Sequence, residues 1–377
     1  MIRSFRYRLH PNAAQGRVLE SWRKACCVLY NAALEQRITA WKMRYLSVSY
    51  EDQTVQLTEL RAADPAWALI PVEVLRSPLR RLNSAYAAFF RRCKRGEKPG
   101  FPRFRSVRRY DSFAIGRAKV DKDRVHVPKL GKLGHVKMNL HRPIEGTIRN
   151  ATISRDSTGK WWVSFACDLG DAPAKCDVKT QVGIDLGLTT LATLSTGETI
   201  ENPRFAKRAA DQLAKRQRSL ARKQKGSRNR ERARVLVAKA YAHVAHQRLE
   251  HARKEAKRLY ETYDEVMHED LNISALSRGL FSKSFADASW GVFLRCLASK
   301  AEYAGKHLTP KDPRGTSQRC CQCGAVVPKT LAERVHRCPH CGLEIDRDHN
   351  AAINVLTARP GRSEAGELAG VEREAPI

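Results

Sequence analysis

The hydrophobic period of the chain changes several times, and each change predicts an element. Phe5, Tyr7 and Leu9 alternate with Arg6, Arg8 and His10, the period-two pattern of a half-buried strand. Pro11-Asn12 breaks it. From Ala13 to about Arg44 the apolar positions Val18, Trp22, Cys26, Leu29, Ala33 and Leu34 recur near i, i+4, i+7, which predicts a helix. Polar residues and Pro65 then interrupt. A second helix is expected over about Val72 to Cys93. Leu75, Leu79, Leu82, Tyr86 and Phe89/Phe90 lie on one side of it, and Arg76, Arg80, Arg81, Arg91 and Arg92 on the other. Such a helix packs on protein with one face and meets either nucleic acid or plain solvent with the other. Pro78 within it leaves its geometry open.

Glycine and proline punctuate the chain from Pro99-Gly100-Phe101-Pro102 to about residue 175. Short alternating runs at Asp111–Ile115, Arg124–Val127, Val136–Leu140, Gly146–Ser154 and Trp161–Cys167 predict a small antiparallel barrel or sheet. Gln181 to Gly187 reads as an apolar strand carrying Asp185, followed by strands at Thr189–Ser195 and Glu198–Ile200. Residues 206 to 262 read as helical with a break at Gly226-Ser227. Glu261 to His268 turns strand-like and leads to Glu269. A helix is expected from about Phe285 to Gly305, a strand near Lys306–Lys311 and a last helix from Asp348 to Ala358. Residues 360–377, rich in Gly, Glu and Ala, read as a disordered tail.

Composition changes the picture through charge. With 377 residues and 42% hydrophobic content the chain is long enough for two or three ordinary domains. Its 69 Lys and Arg against 39 Asp and Glu give a net charge of +30, which points to a polyanionic partner. The excess is local. Residues 204–260 hold 19 Lys/Arg and four Asp/Glu, and residues 76–109 hold 12 Lys/Arg with Glu97 as the single acid. A long duplex or a structured RNA would suit such a footprint, and binding should weaken steeply with salt. The start of the chain lacks the pattern of a secretory signal, and no apolar run approaches the ~20 residues of a membrane span. With reduced thiols and a zinc site, this places the protein in the cytoplasm as an expectation.

The zinc site is read from Cys320-Cys321-Gln322-Cys323-Gly324 and Cys338-Pro339-His340-Cys341-Gly342. Two C-x-x-C pairs separated by 14 residues, each closed by a glycine, make a tetrahedral thiolate site of the zinc-ribbon kind. Cys320, Cys323, Cys338 and Cys341 are the expected ligands, and the two-residue gap leaves Cys321 a bystander.

Three acids carry the candidate chemistry. Asp185 lies at the end of an apolar strand, Glu269 at the end of another, and Asp348 at a helix start after the ribbon. Singly, an acid at an element end more often forms a turn or caps a helix than it serves a metal site. Together, three carboxylates from distant points can converge on a site for hard cations, magnesium above all. Two ions about 3.5–4 Å apart would serve phosphodiester hydrolysis on a ribonuclease-H-like fold.

At this point the chain resembles the TnpB family of insertion-sequence proteins, relatives of the type V CRISPR effectors. The matching pieces are Leu9-His10-Pro11-Asn12-Ala13-Ala14-Gln15, Gly183-Ile184-Asp185-Leu186-Gly187, Ser227-Arg228-Asn229-Arg230 and Glu269-Asp270-Leu271-Asn272. Thr316-Ser317-Gln318-Arg319-Cys320 and Asp346-Arg347-Asp348-His349-Asn350-Ala351-Ala352-Ile353-Asn354 complete the set, in the family's order. The resemblance implies an RNA-guided DNA endonuclease of a transposable element, cutting double-stranded DNA beside a short flanking motif. Asp185, Glu269 and Asp348 match the family's metal-binding acids, with Asp348 preferred over Asp346 because it directly precedes the x-Asn-Ala-Ala run. Cys320, Cys323, Cys338 and Cys341 match its zinc ligands.

The implied fold class is a multidomain α+β protein: a ribonuclease-H-like RuvC nuclease domain with a zinc-ribbon insertion, an N-terminal helical recognition region and a small β-barrel. The expected bounds are 1–10 with 96–175 for the barrel and 11–95 for the helical region. Those of the nuclease domain are 176–313 with 346–359, and of the ribbon 314–345. The implied partners are a structured guide RNA copied from the transposon end and a double-stranded DNA target, with no membrane. Arg76, Arg80, Arg81, Arg222, Lys223, Lys225, Arg228 and Arg230 are the expected phosphate contacts. The flanking-motif reader should lie within residues 50–125, with Glu73, Arg76, Ser77 and Arg80 as a candidate stretch. A DNA-strand transposase using the same acids, and a catalytically silent guided binder, are the competing readings.

Overall fold

The alternation at the start of the chain becomes strand β1 (Ile2–His10), with Phe5, Tyr7 and Leu9 each at most 1% exposed. The helical pattern after it becomes α1 (Ala13–Arg44). The computed structural model describes residues 1–116, 118–128, 130, 134–276, 278–279, 281–330 and 332–358; the tail read as disordered lies outside the described residues. The chain forms two units, one of Met1–Asp171 and one beginning at Ala172. Among the described residues no helix is long and apolar enough to cross a membrane.

In the first unit Asn12 starts α1 with a capping box: its side chain accepts from Gln15 N, and the Gln15 side chain accepts from Asn12 N. Such a cap contributes about 1 kcal/mol. The next helix, α2 (Tyr50–Ala63), was not expected from the pattern, and the reason is physical. It buries only Gln53 and Leu57, too little to impose a helical period. Gln53 instead donates to Ala33 O and to the Gln36 side chain, both at 2.9 Å. Pro65 opens the short α3 (Pro65–Ala68) rather than merely breaking the chain.

Helix α4 (Val72–Lys94) runs through Pro78 without ending. A proline there has no N–H for the carbonyl of Val74. The buried Cys26 thiol donates to that oxygen at 3.3 Å. Burial pushes the Cys26 thiol up to about 12, which keeps it protonated and able to donate.

The strands β2 (Ser112–Gly116), β3 (Lys119–Asp121), β4 (Arg124–His126), β5 (His135–Asn139), β6 (Thr147–Arg155) and β7 (Trp161–Asp168) join β1 in one sheet. Its order is β2-β6-β7-β1-β5-β4-β3, and every pairing is antiparallel. The core of this unit sets Phe5, Tyr7 and Phe165 of the sheet against Trp22 and Tyr30 of α1 and Leu75 and Leu79 of α4. Each such side chain stabilises the fold by about 1.5–3 kcal/mol on burial.

The second unit is built on β8 (Gln181–Leu186), β9 (Thr190–Leu194) and β10 (Thr199–Glu201). Helices α5 (Phe205–Arg208), α6 (Ala210–Ala221) and α7 (Arg228–Thr262) follow, then β11 (Glu265–Glu269), α8 (Ile273–Leu276), α9 (Ser282–Ala288), α10 (Trp290–Ala304) and β12 (His307–Lys311). The predicted strand at 261–268 is shorter than expected, because α7 continues to bury Leu259 and Tyr260. The single helix expected over 285–305 is two, divided at Ser289, whose φ of 56 is left-handed.

The sheet order is β10-β9-β8-β11-β12, with β8, β9 and β10 antiparallel and β8, β11 and β12 parallel. This mixed topology is that of a ribonuclease-H-like domain. Ala252 and Ala256 of α7 and Phe293 and Leu297 of α10 share a core with Val182, Ile184 and Leu186. The ribbon contributes β13 (Val335–Arg337) and β14 (Glu344–Asp346), and α11 (Arg347–Thr357) closes the described chain.

Candidate active site

The acidic site begins with two neighbouring strands. Strands β8 and β11 run parallel, and their last pair is Ile184 with His268. Asp185 and Glu269 are each one residue further on, so they stand side by side on one face. The third acid arrives through a close approach. Gly183, two residues before Asp185, shares its face. A Cβ at Gly183 would lie 2.3 Å from the carbonyl oxygen of Ala352. Only glycine lets α11 lie this near to β8. Asp348 precedes Ala352 by one helical turn, and the contact therefore carries Asp348 towards Asp185.

The electrostatics reflect that convergence. Burial, followed by the charges of Glu269 and Asp348, holds the Asp185 carboxyl well above the usual carboxylate range. Burial also raises Glu269, against the hydrogen bond that the Thr316 hydroxyl donates to it at 2.5 Å. Asp348 is raised by burial and by the charge of Asp346. Arg334 approaches Asp348 at 4.0 Å.

Asp346 has a separate task. It caps α11, accepting from the backbone N–H groups of Asp348 at 2.9 Å and His349 at 3.0 Å. The three carboxylates, each held partly against ionisation, offer the oxygen donors that a hard cation takes, and its charge would offset the repulsion at Asp185.

The cysteines form a second cluster. One ligand atom from each of Cys320, Cys323, Cys338 and Cys341 lies within 4.8 Å of all the others. The carboxylates do not meet that spacing; among the described residues only the cysteines do. The Sγ atoms of Cys320 and Cys341 are 3.6 Å apart, and those of Cys323 and Cys338 are 3.5 Å apart. A tetrahedron with Zn–S bonds of about 2.3 Å has edges of about 3.8 Å, so the four thiols fit zinc.

Gly324 and Gly342, with φ of 78 and 73, turn the chain beneath the two pairs. Burial alone would raise the Cys338 thiol. Hydrogen bonds from the backbone N–H groups of Cys341 and His340 outweigh it and bring the thiol down to about 6. The bystander expectation for Cys321 agrees with its position outside the cluster; its backbone N–H donates to the Asn350 side chain at 3.0 Å.

Buried asparagines join the ribbon to the acidic site. Asn350 donates to Arg319 O at 2.8 Å. Asn354 donates to Thr316 O at 2.8 Å and to Arg319 O at 2.7 Å. Thr316 in turn holds Glu269. Thus α11 presents Asp348 at its first turn while its buried face clasps the turn leading into the ribbon. Thr316, Asn350, Asn354 and Gly183 were not singled out from the sequence as working residues. Each lies inside a segment that carries the family resemblance, and that was the available signal.

The basic residues divide into two groups. Arg222, Lys223, Lys225 and Arg228 are exposed around the turn between α6 and α7. Arg230 is committed to the turn itself, donating to Leu220 O at 3.0 Å and Lys223 O at 2.7 Å. Arg81 donates to the Ser112 hydroxyl at 3.0 Å and lies 4.9 Å from the Tyr110 ring centre. Arg76 and Arg80 pair with Glu73 at 3.2 and 2.8 Å and keep exposed surface.

Fold and site together define a ribonuclease-H-like protein with an acidic centre beside a thiolate cluster. Comparison with known proteins agrees. Residues 164–279 match the family described as "Probable transposase", residues 290–355 a "Cas12f1-like, TNB domain", and residues 1–45 a "Helix-turn-helix domain". In this chain that last segment is strand β1 followed by the single helix α1.

A Streptomyces pristinaespiralis protein named "Putative RNA-guided DNA endonuclease" is 33% identical over 99% of this chain and 93% of its own length. "Putative RNA-guided DNA endonuclease InsQ" of Escherichia coli K12 is 27% identical over 97% of this chain and 94% of its own. The solved structure described as "Cryo-EM structure of the Cas12f1-sgRNA-target DNA complex" shares the fold, with a TM-score of 0.58 at 15% identity, covering 90% of this chain and 82% of that one. The chain belongs to the TnpB family of insertion-sequence proteins.

Proposed function

We propose that the protein is an RNA-guided DNA endonuclease of a transposable element, cleaving target DNA next to a short flanking motif through a RuvC-type centre that requires magnesium. The observation that supports this reading is that the charges of Glu269 on β11 and Asp348 on α11 both act on Asp185 of β8, with each acid pushed up in pKa by its surroundings. The names of its relatives support the guide and the substrate.

Asp185, Glu269 and Asp348 would hold the magnesium. Bound there, it supplies Lewis-acid activation of water and neutralisation of charge on the phosphate. The rest is done by the chain. Thr316 orients Glu269, and Gly183 permits the approach that brings Asp348 in. Asp346 occupies the orphan N–H groups of α11 and leaves Asp348 for the site. Cys320, Cys323, Cys338 and Cys341 would hold zinc, which would keep the ribbon folded, and Asn350 and Asn354 tie the segment before the ribbon to α11. Arg222, Lys223, Lys225 and Arg228 contact RNA phosphates, with residues 50–125 reading the flanking motif. The nuclease domain takes residues 176–313 with the segment from 346, and the ribbon residues 314–345.

The test is to express the protein with its native flanking DNA, sequence the RNA that copurifies, and assay cleavage with magnesium. One discrete RNA and cutting confined to matched targets is the expected result. Cutting that ignores the RNA would overturn guidance. The description "Probable transposase" for residues 164–279 favours one second reading, strand transfer by the same acids. That reading requires joining of element ends without any RNA.

A further inference from the structure

The first unit carries an aromatic cluster at the margin of its core: Tyr86 packs against the core, and the rings beyond it reach solvent. At the end of α4, Tyr86 stacks on Phe90 with ring centres 6.1 Å apart. Phe101, from the Pro99–Phe104 loop, meets Tyr86 edge-on at 5.7 Å and Phe89 at 5.3 Å. Phe90 is 55% exposed, Phe101 47% and Phe104 58%. Isolated exposed rings are ordinary, but several in contact on one surface mark a binding site.

The platform is built rather than loose. Arg37 lies 5.3 Å from the centre of the Tyr86 ring. The loop is fastened to α1 by Asn31, which accepts from Arg105 N and donates to Arg105 O, both at 2.8 Å. Pro102 is buried beneath it.

Charge identifies the occupant. Residues 91–105 contain seven Lys or Arg and one acid, Glu97. Flat, exposed rings inside a basic rim suit a polyanion whose bases are free to stack. A duplex hides its base faces, so it could use the rim but not the rings. The phenylalanine rings cannot read base edges, so binding here tolerates any sequence.

We infer that the Tyr86, Phe89, Phe90 and Phe101 cluster binds unpaired bases of single-stranded DNA. This rests on the guided-endonuclease reading for the choice of strand. Guide pairing displaces one DNA strand, unpaired and different at every target, which is the ligand a sequence-tolerant platform serves.

The test uses the full-length chain and four fluorescent probes: oligo-dT of 20 nucleotides, an abasic 20-mer of equal charge, oligo-rU of equal length and a 20-base-pair duplex. Wild type should bind oligo-dT more tightly than the abasic strand. The Phe90→Ala/Phe101→Ala variant should lose about tenfold in affinity for oligo-dT. It should bind the abasic strand and the duplex as wild type does, and its melting temperature should not change. Phe90→Tyr/Phe101→Tyr should restore the preference. An undiminished preference for bases in the alanine variant would overturn the site. Tighter, ring-dependent binding of oligo-rU than of oligo-dT would overturn the assignment to DNA. None of these readouts requires cleavage or a guide, so failure of the endonuclease reading would appear separately.

Discussion

The second unit holds two anionic clusters close together in the chain's fold, and they are built in opposite ways. The four thiols come from residues 320–341 and sit in turns whose backbone N–H groups point at sulfur, bringing Cys338 down to about 6. The three carboxylates come from residues 185, 269 and 348, and burial pushes all of them up, with the charges of Glu269 and Asp348 adding to it at Asp185 and that of Asp346 at Asp348. Backbone N–H groups favour the thiolate at Cys320 and Cys338, while the neighbouring thiols hold Cys323 and Cys341 up, whereas every carboxylate of the second cluster is held against its charge. The first arrangement stabilises a fold. The second stores repulsion that a cation relieves, a cost that proteins accept at working sites.

The largest effect should come from the thiolate cluster. Structural zinc contributes about 10–16 kcal/mol of folding free energy in small zinc domains. Chelation, or Cys338→Ser, should unfold the ribbon, seen as lost protection of residues 316–346 in hydrogen exchange. The Cys338 thiol is depressed in the folded state, so its contribution is present above the unfolded value of about 8.5. It is lost as pH falls through about 6, and zinc release should follow the same fall. Retained protection without zinc would make the cluster a bystander.

Removing a carboxylate should act on chemistry and spare the fold. Glu269→Gln or Asp348→Asn should lower the rate of guided cleavage by about 10³-fold or more, with binding of matched DNA unchanged. Equal losses of binding and cleavage would mean that these acids support structure instead. Thr316→Val is the finer probe. It removes the hydroxyl that holds Glu269 and should cost about 10–100-fold in cleavage or magnesium affinity, as loss of a partner behind a ligand does.

The turn between α6 and α7 gives the smallest effect. Replacing Arg222, Lys223, Lys225 and Arg228 together by alanine should flatten the dependence of log affinity for RNA on log salt by about 3. Arg230→Ala should instead lower thermal stability, because Arg230 fastens the turn through Leu220 O and Lys223 O.

The two clusters also differ in how far sequence revealed them. The thiolate site is local, so spacing alone identified its ligands. The acids were each visible at the end of a predicted strand or helix, and family resemblance chose Asp348 over Asp346. What brings them together was not visible. The approach of Ala352 to Gly183 joins residues far apart in the chain, and a glycine in a strand carries no mark of its partner. The same limit hid α2, whose buried face is Gln53 and Leu57, and the division of α9 from α10, where a serine takes a left-handed conformation that glycine usually signals. Where burial followed a regular period, as in α1, the expected and observed bounds agree at Ala13 and Arg44.

The central claim is that the fold opposes charge at Asp185 and that a divalent cation relieves it. A carboxylate raised in the folded state stabilises the protein only while protonated, so at neutral pH Asp185 is a cost that Asp185→Asn removes. The direct measurement is the melting temperature of wild type and Asp185→Asn across a magnesium titration at pH 7.5 and constant ionic strength. The account predicts that the variant melts higher without magnesium, while wild type alone rises as magnesium is added. Parallel responses, with the variant no more stable than wild type, would contradict it.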